Sequence, residues 1–168
     1  MRDKRFFMLA VLIAALVVMA FVWIEQHRKK ILQVGENLPA LKYLTRNGQQ
    51  ILSPDSSRVL VLMYFNRKCG HCLYQLELFD KNIGIFRDQR FIFLTSEAEF
   101  FSAGLEKQWS MLSSRENCSF GMVTGNEFLR AFGTSSTPAI FIFDDRGLLL
   151  ARYNSVIKLD KIKQVLGV

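Results

Sequence analysis

Two cysteines separated by two residues can exchange a disulfide, clip a metal or hold a haem. Residues 67–75, RKCGHCLYQ, carry such a pair, Cys69 and Cys72, around Gly70 and His71. Covalent haem needs a histidine directly after the second cysteine, and Leu73 stands there. A tetrahedral metal site needs two further ligands, for which the chain offers Cys118, His71 and His27. A purely structural cross-link would close too short a loop to stabilise much, because the entropic benefit grows with loop length.

Disulfide exchange has a physical mechanism at this position. The apolar run RVLVLMYF, residues 58–65, reads as a buried strand, and Leu73, Leu76, Phe79, Ile83 and Phe86 recur at helical spacing over residues 72–86. Cys69 therefore falls where a strand turns into a helix. Its sulfur would face unpaired N–H groups and the positive end of the helix dipole, which favour a thiolate. Lys68 and His71 add positive or hydrogen-bonding character. Thiolate is the form that attacks a disulfide. The expected cycle is attack by Cys69, a mixed disulfide, and resolution by Cys72, which stays protonated one turn along until needed. A Cys69–Cys72 disulfide would be the redox group, with no other cofactor and no resident metal, and a donor or acceptor protein would reset it.

The elements that must position this pair can be read along the chain. Residues 41–53 read as a hairpin around Asn47-Gly48, a dipeptide suited to tight turns. After the strand and helix around the cysteines come a strand at 90–96, a helix at 97–112, a strand at 119–123 and a helix at 125–132. Residues 139–145 and 148–154 flank Arg146-Gly147 as a second hairpin, and residues 158–166 close as a helix with Leu159, Ile162 and Leu166 on one face. A β-α-β unit inside this series implies an α/β fold, a mixed central sheet flanked by helices. The 15 phenylalanines fall mostly at strand and helix core positions, where large rings fill volume.

The 168 residues suffice for one domain and an appendage. Residues 6–24, FFMLAVLIAALVVMAFVWI, hold no charge, and at about 1.5 Å per residue they nearly span a bilayer's hydrocarbon core. A core helix would carry polar positions each turn. A cleaved signal peptide could use Val18, Met19 and Ala20, but the apolar run continues to Ile24. An uncleaved, single-pass transmembrane helix is the expectation, giving an anchor at 1–30 and a folded domain at 31–168, with residues 24–37 reading as a short tether. The formal charge of +7 belongs mostly to the anchor. Residues 31–168 hold 16 basic and 13 acidic residues, net +3, which gives nucleic-acid binding no support and places the basic excess at lipid headgroups. Charges before and after the helix tie. Disulfide chemistry breaks the tie, because disulfides persist outside the cytoplasm: the expected setting is a bacterial inner membrane with the domain in the periplasm.

These residues resemble the thioredoxin fold, and with the anchor they resemble its TlpA/ResA-like branch of membrane-tethered thiol:disulfide oxidoreductases. The resemblance covers about residues 35–168. Cys-Gly-His-Cys is also the active-site sequence of protein disulfide isomerase domains. Thr137-Pro138, just before AIFIF, matches the family's cis-proline beside the cysteine pair, where the preceding residue's backbone binds substrate. The resemblance implies Cys69 and Cys72 as catalytic, Lys68, Gly70 and His71 as modulating, Thr137 and Pro138 as substrate-binding, and extracytoplasmic protein thiols or disulfides as partners. This chain departs from the pattern at three places. Lys68 replaces the usual tryptophan, Met63 a buried aspartate, and Gln75 a glutamate of some ResA-like members, so no buried acid is evident to take the resolving thiol's proton, and His71 within the pair, which favours the thiolate of the reduced form, points to a less reducing potential. Glu77 reads as a solvated helix residue. Peroxiredoxins have a Pro-x-x-x-Thr/Ser-x-x-Cys pattern, but Leu62 and Asn66 occupy its places before Cys69. Cys118 reads as a small buried apolar residue. A non-catalytic binding or assembly module, or a metal carrier using Cys69, His71 and Cys72, are the alternatives.

Overall fold

A computed structural model describes residues 2–27, 31–55 and 57–168. The chain separates into two compact units, one up to Lys30 and the other Ile31–Val168. The first holds one helix, α1 (Arg2–His27), on which Leu12, Leu16, Val18, Phe21 and Trp23 are exposed. Among the described residues no helix is long and apolar enough to cross a membrane. Several side chains of the expected span at 6–24 lie outside the described ones, as do residues 28–30 with their basic charges.

In the second unit, seven strands form one sheet among the described residues: β1 (Lys42–Thr45), β2 (Gly48–Ile51), β3 (Leu60–Phe65), β4 (Arg90–Thr95), β5 (Cys118–Met122), β6 (Ala139–Phe143) and β7 (Leu149–Tyr153). Their order is β2-β1-β5-β4-β3-β6-β7. β3, β4 and β5 run parallel, and β1, β2, β6 and β7 pair antiparallel with their neighbours. The sheet is therefore mixed, as the sequence implies.

Strand β3 is buried along its whole length, which requires cover on both faces. Val61, Met63 and Phe65 join one core with Leu76 and Phe79 of α2 (Gly70–Asn82), Leu112 of α3 (Ser110–Ser113) and Ile162 of α5 (Leu159–Leu166). Leu60, Leu62 and Tyr64 face the other, with Phe128 and Phe132 of α4 (Gly125–Phe132). Phenylalanines fill both: Phe65 meets Phe100, Trp109 and Phe120 edge-on, and Tyr64 stacks on Phe128 with ring centres 4.0 Å apart. The fixed rings beneath β3 give its C-terminal end, and hence the cysteine turn, a rigid floor.

Four local expectations need correction. The helix expected at 97–112 is instead a series of turns, a 3-10 helix (Leu105–Gln108) and the short α3. Gly104 takes a left-handed φ of 63° that breaks the helix, and Phe100, Trp109 and Leu112 are buried by tertiary packing, not along one helical stripe. The helix expected at 72–86 starts at Gly70 and ends at Asn82, whose side chain turns back to donate to the Leu78 carbonyl. A 3-10 turn (Ile83–Ile85) then carries Ile83 and Phe86 into the core. In the first hairpin Thr45 pairs with Gly48, so Arg46 and Asn47 form the connection and Gly48 takes the positive φ. Finally, the expected tether is docked from residue 31 onward. Gly35 N–H donates to Leu149 O at 2.8 Å, Leu149 N–H to Glu36 O at 2.9 Å, and Leu38 N–H to Gly147 O at 2.7 Å. Gly147, at φ 87°, packs closely against Pro54, where a Cβ would lie 2.7 Å from Pro54 Cγ.

Candidate active site

Cys69 is the N-cap of α2, with extended backbone (φ −97°, ψ 108°). β3 ends at Phe65, and residues 66–69 turn the chain into the helix: Asn66 Oδ1 accepts from Lys68 N–H at 2.7 Å, and Asn66 O from Cys69 N–H at 3.1 Å. The half-buried Cys69 sulfur then accepts from the Cys72 N–H at 3.4 Å. No acidic residue lies in the first turn of α2. Partial burial works against ionisation of Cys69, but hydrogen bonds from the Cys72 thiol and N–H, the Thr137 side chain and the His71 N–H outweigh it, and its pKa is lowered. A thiolate at a helix N-terminus is the arrangement that activates a cysteine.

Cys72 is fully buried. Burial, and then the hydrogen bond it gives Cys69, push its pKa up to about 12. Cys69 is thus made more acidic than an ordinary thiol and its neighbour kept protonated. Cys69, Cys72 and Cys118 are free thiols. On the same face of α2, Gln75 is also fully buried. Its Oε1 accepts from Ile157 N–H at 2.8 Å, while Nε2 has no partner among the described residues.

The Thr137-Pro138 peptide bond is cis. The Thr137 carbonyl lies at the cysteines, where it accepts from Cys69 Sγ at 3.5 Å. Pro138 is buried and Thr137 half-exposed. Cys69, Cys72, Thr137 and Pro138 therefore form one site at the end of β3 and the start of β6.

No protein-family model matches the chain, and no curated protein matches it either. Solved structures do. A peroxiredoxin-like protein from Aquifex aeolicus superposes with a TM-score of 0.66 at 13% identity, covering 81% of this chain and 87% of that one. The exposed lipoprotein thioredoxin from Streptococcus pneumoniae gives 0.57 at 17% identity, covering 76% and 98%. StoA from Bacillus subtilis gives 0.55 at 10% identity, covering 76% and 96%. The fold is thioredoxin-like.

Within this thioredoxin-like fold the other predicted residues are spread outward. Lys68, Gly70 and His71 are exposed, and the His71 backbone N–H bears on Cys69. Among the described residues no three His, Cys, Asp or Glu side chains gather as a metal site, so Cys69, His71 and Cys72 do not converge as ligands. Glu77 is exposed and pairs with Lys81 at 2.6 Å. Cys118 is half-buried at the start of β5, and burial pushes its pKa up to about 12.

Three residues escape sequence reasoning. The Asn66 backbone works against the upward push that burial gives the Cys72 pKa. Arg67 gives Glu97 two hydrogen bonds, from N–H to Oε1 at 2.7 Å and from Nε to Oε2 at 2.6 Å. Glu97 lies just beyond β4, 30 residues away, and no local pattern pairs it with the cysteine turn.

Proposed function

We propose that this chain is a thiol:disulfide oxidoreductase of the membrane-tethered TlpA/ResA-like kind, acting through Cys69 and Cys72. The observation that carries the reading is Cys69 at the N-cap of α2, its sulfur accepting from Cys72 N–H and its pKa lowered, beside the Thr137 carbonyl that precedes Pro138. Cys69 thiolate attacks one sulfur of a substrate disulfide, forms a mixed disulfide and expels the other sulfur as a thiolate, which takes up a proton. Cys72 then loses its proton and attacks Cys69 Sγ. The Cys69–Cys72 disulfide forms, the second substrate thiol leaves, and two electrons have passed to the substrate. Reversal of the same steps oxidises a substrate dithiol.

Residues 6–24 hold the chain in a bacterial inner membrane in this reading, with the domain in the periplasm. The uncharged length of that run supports the anchor, and the persistence of disulfides outside the cytoplasm supports the side. Protein thiols and disulfides are the substrates, and a second redox protein resets the pair. The structural likeness to a peroxiredoxin-like protein is one of fold. Leu62 and Asn66 stand where a peroxidatic cysteine's motif needs proline and threonine or serine.

Turnover of a protein disulfide by the full chain, with a small dithiol as reductant, tests the proposal. Cys69→Ser abolishes turnover, and Cys72→Ser halts at a trappable mixed disulfide. Equal rates for wild type and Cys69→Ser would leave the chain a binding module and overturn it.

A further inference from the structure

The exposed face of the first hairpin is tied down at its turn and open at its other end. At the turn, Arg46 donates to the Phe101 carbonyl at 3.2 Å, lies over the Phe101 ring at 5.8 Å and pairs with the buried Glu106. Beyond it β1 and β5 part, and among the described residues Leu44 opposite Met122 is their one ladder pair. The opening is a groove of about 460 Å³ with Leu44, Ala98 and Met122 on its apolar surface and Lys42, Ser96 and Glu127 among its polar groups. Leu44 is 46% exposed although it sits inside a strand. The Lys42 backbone opens there too. Leu52 N–H donates to Leu41 O, and Tyr43 lies opposite Gln50. By the alternation of an antiparallel ladder, the Lys42 N–H and C=O therefore point away from β2, toward a β5 that pairs only with Leu44.

This groove adjoins the cysteine turn. Ser96 and Ala98 flank Glu97, which accepts at 2.7 Å from the N–H of Arg67, two residues before Cys69. The path from Ser96 Cα through that bond to Cys69 Cα is at most roughly 20 Å long, the reach of about six extended residues. β3, β4 and β5 are parallel and end on the same side of the sheet, and the carboxyl ends of parallel strands are where such sheets receive ligands. We propose that the groove seats an apolar side chain of the substrate polypeptide, about four to six residues from the cysteine under attack, with Leu44 and Met122 as specificity-determining residues. The inference rests on the redox reading of the cysteine pair and names what that site selects. An extended segment fits both features of the groove: its amides meet the Lys42 backbone, and one of its side chains covers Leu44 and Met122. Lys42 and Glu127 place opposite charges at the rim, so the groove selects on apolar surface and not on the sign of charge.

The test uses the reduced full chain and peptides of one sequence, each with a single cysteine joined in a disulfide to a nitrobenzoate thiol. They differ in carrying leucine or serine about four to six residues to either side of the cysteine. Cys69 thiolate attacks the peptide sulfur, the Cys69–peptide disulfide forms, and the coloured nitrobenzoate thiolate leaves. Leucine at one such position raises the rate about tenfold over serine, the discrimination an apolar pocket gives, and in Leu44→Ser that advantage falls below about threefold. Met122→Ala shrinks it as well. Ile51→Ser, which removes a comparably exposed residue of the same hairpin face outside the groove, keeps it. Thermal melting shows that each variant is folded. No leucine advantage in the wild type, one that survives Leu44→Ser, or one lost equally in Ile51→Ser would each overturn the inference. A wild type that sediments as a dimer and Leu44→Ser as a monomer would assign the groove to a second copy and overturn it too. Colour release no faster from wild type than from Cys69→Ser would instead sink the redox reading itself.

Discussion

Cys69 and Cys118 are both half-buried thiols beside strands of the same sheet, one just beyond the end of β3 and the other at the start of β5. Their chemistry differs because one leads into a helix and the other into a strand. After Cys69 the chain enters α2, and free N–H groups of the first turn converge on the sulfur. After Cys118 it continues as strand, whose N–H groups belong to the sheet ladder. The Cys118 sulfur has a long contact of 3.8 Å to Asn117 Oδ1, and burial pushes its pKa up to about 12. Partial burial alone makes a cysteine inert, and the helix terminus reverses that sign.

The largest expected effect breaks this comparison at the level of turnover. Cys69→Ser removes disulfide exchange altogether, whereas Cys118→Ser retains it within about twofold, a change the size of a weak, distant interaction. Disulfide turnover assays of the two variants check this. A comparable loss in Cys118→Ser would make the two sites equivalent.

A second effect appears in stability at alkaline pH. Cys118 and Cys72 have folded pKa values raised above the ordinary 9.0. Between about pH 9 and 12 the unfolded chain has lost these protons and the folded chain keeps them. Unfolding then releases protons, and stability falls as pH rises, by roughly 1.4 kcal/mol per pH unit for each such thiol. Cys69 has the opposite sign. Its lowered pKa adds stability to the reduced protein as pH rises through its folded pKa toward 9. Denaturant unfolding of reduced wild type and Cys118→Ala at several pH values measures this, and the variant loses less stability above pH 9. Parallel curves would contradict the burial of Cys118 as the cause.

The smallest effect sharpens the comparison. Lys68 and His71 flank the pair but are exposed, where water and salt screen their charge. Lys68→Ala and His71→Ala change the rate of disulfide attack by no more than about threefold, within the 0–1 kcal/mol of exposed charge interactions. A tenfold loss in either, by stopped-flow attack on a small disulfide, would move the source of thiolate stabilisation from the backbone to these side chains.

How far the fold and the site are legible in the sequence depends on the range of the interactions. The β3 strand, the helix after it and the cysteine at their junction are written in consecutive residues with strong periodicity, and the structure has them. The hairpin at residues 42–51 is readable too, with its turn displaced by one residue because Gly48 alone takes the positive φ. The region 97–112 reads as one helix and is not. Its apolar residues recur at plausible intervals, yet Gly104 turns left-handed and the rings enter the core from separate turns. The supports of the site are out of reach. Glu97 grips Arg67 across 30 residues, and Gln75 accepts from Ile157 across 82, distances over which spacing carries no signal. Gln75 illustrates the point: its type stands out as a departure from a carboxylate, but its burial and its bond to the 157 backbone come from the fold.

The most direct measurement is the pH dependence of alkylation of the reduced protein by iodoacetamide, tracked cysteine by cysteine through mass spectrometry. The account predicts that Cys69 is modified first, with a midpoint below the ordinary thiol value, while Cys72 and Cys118 react only in strongly alkaline solution. A Cys69 that titrates with Cys118, or above an ordinary thiol, would contradict it.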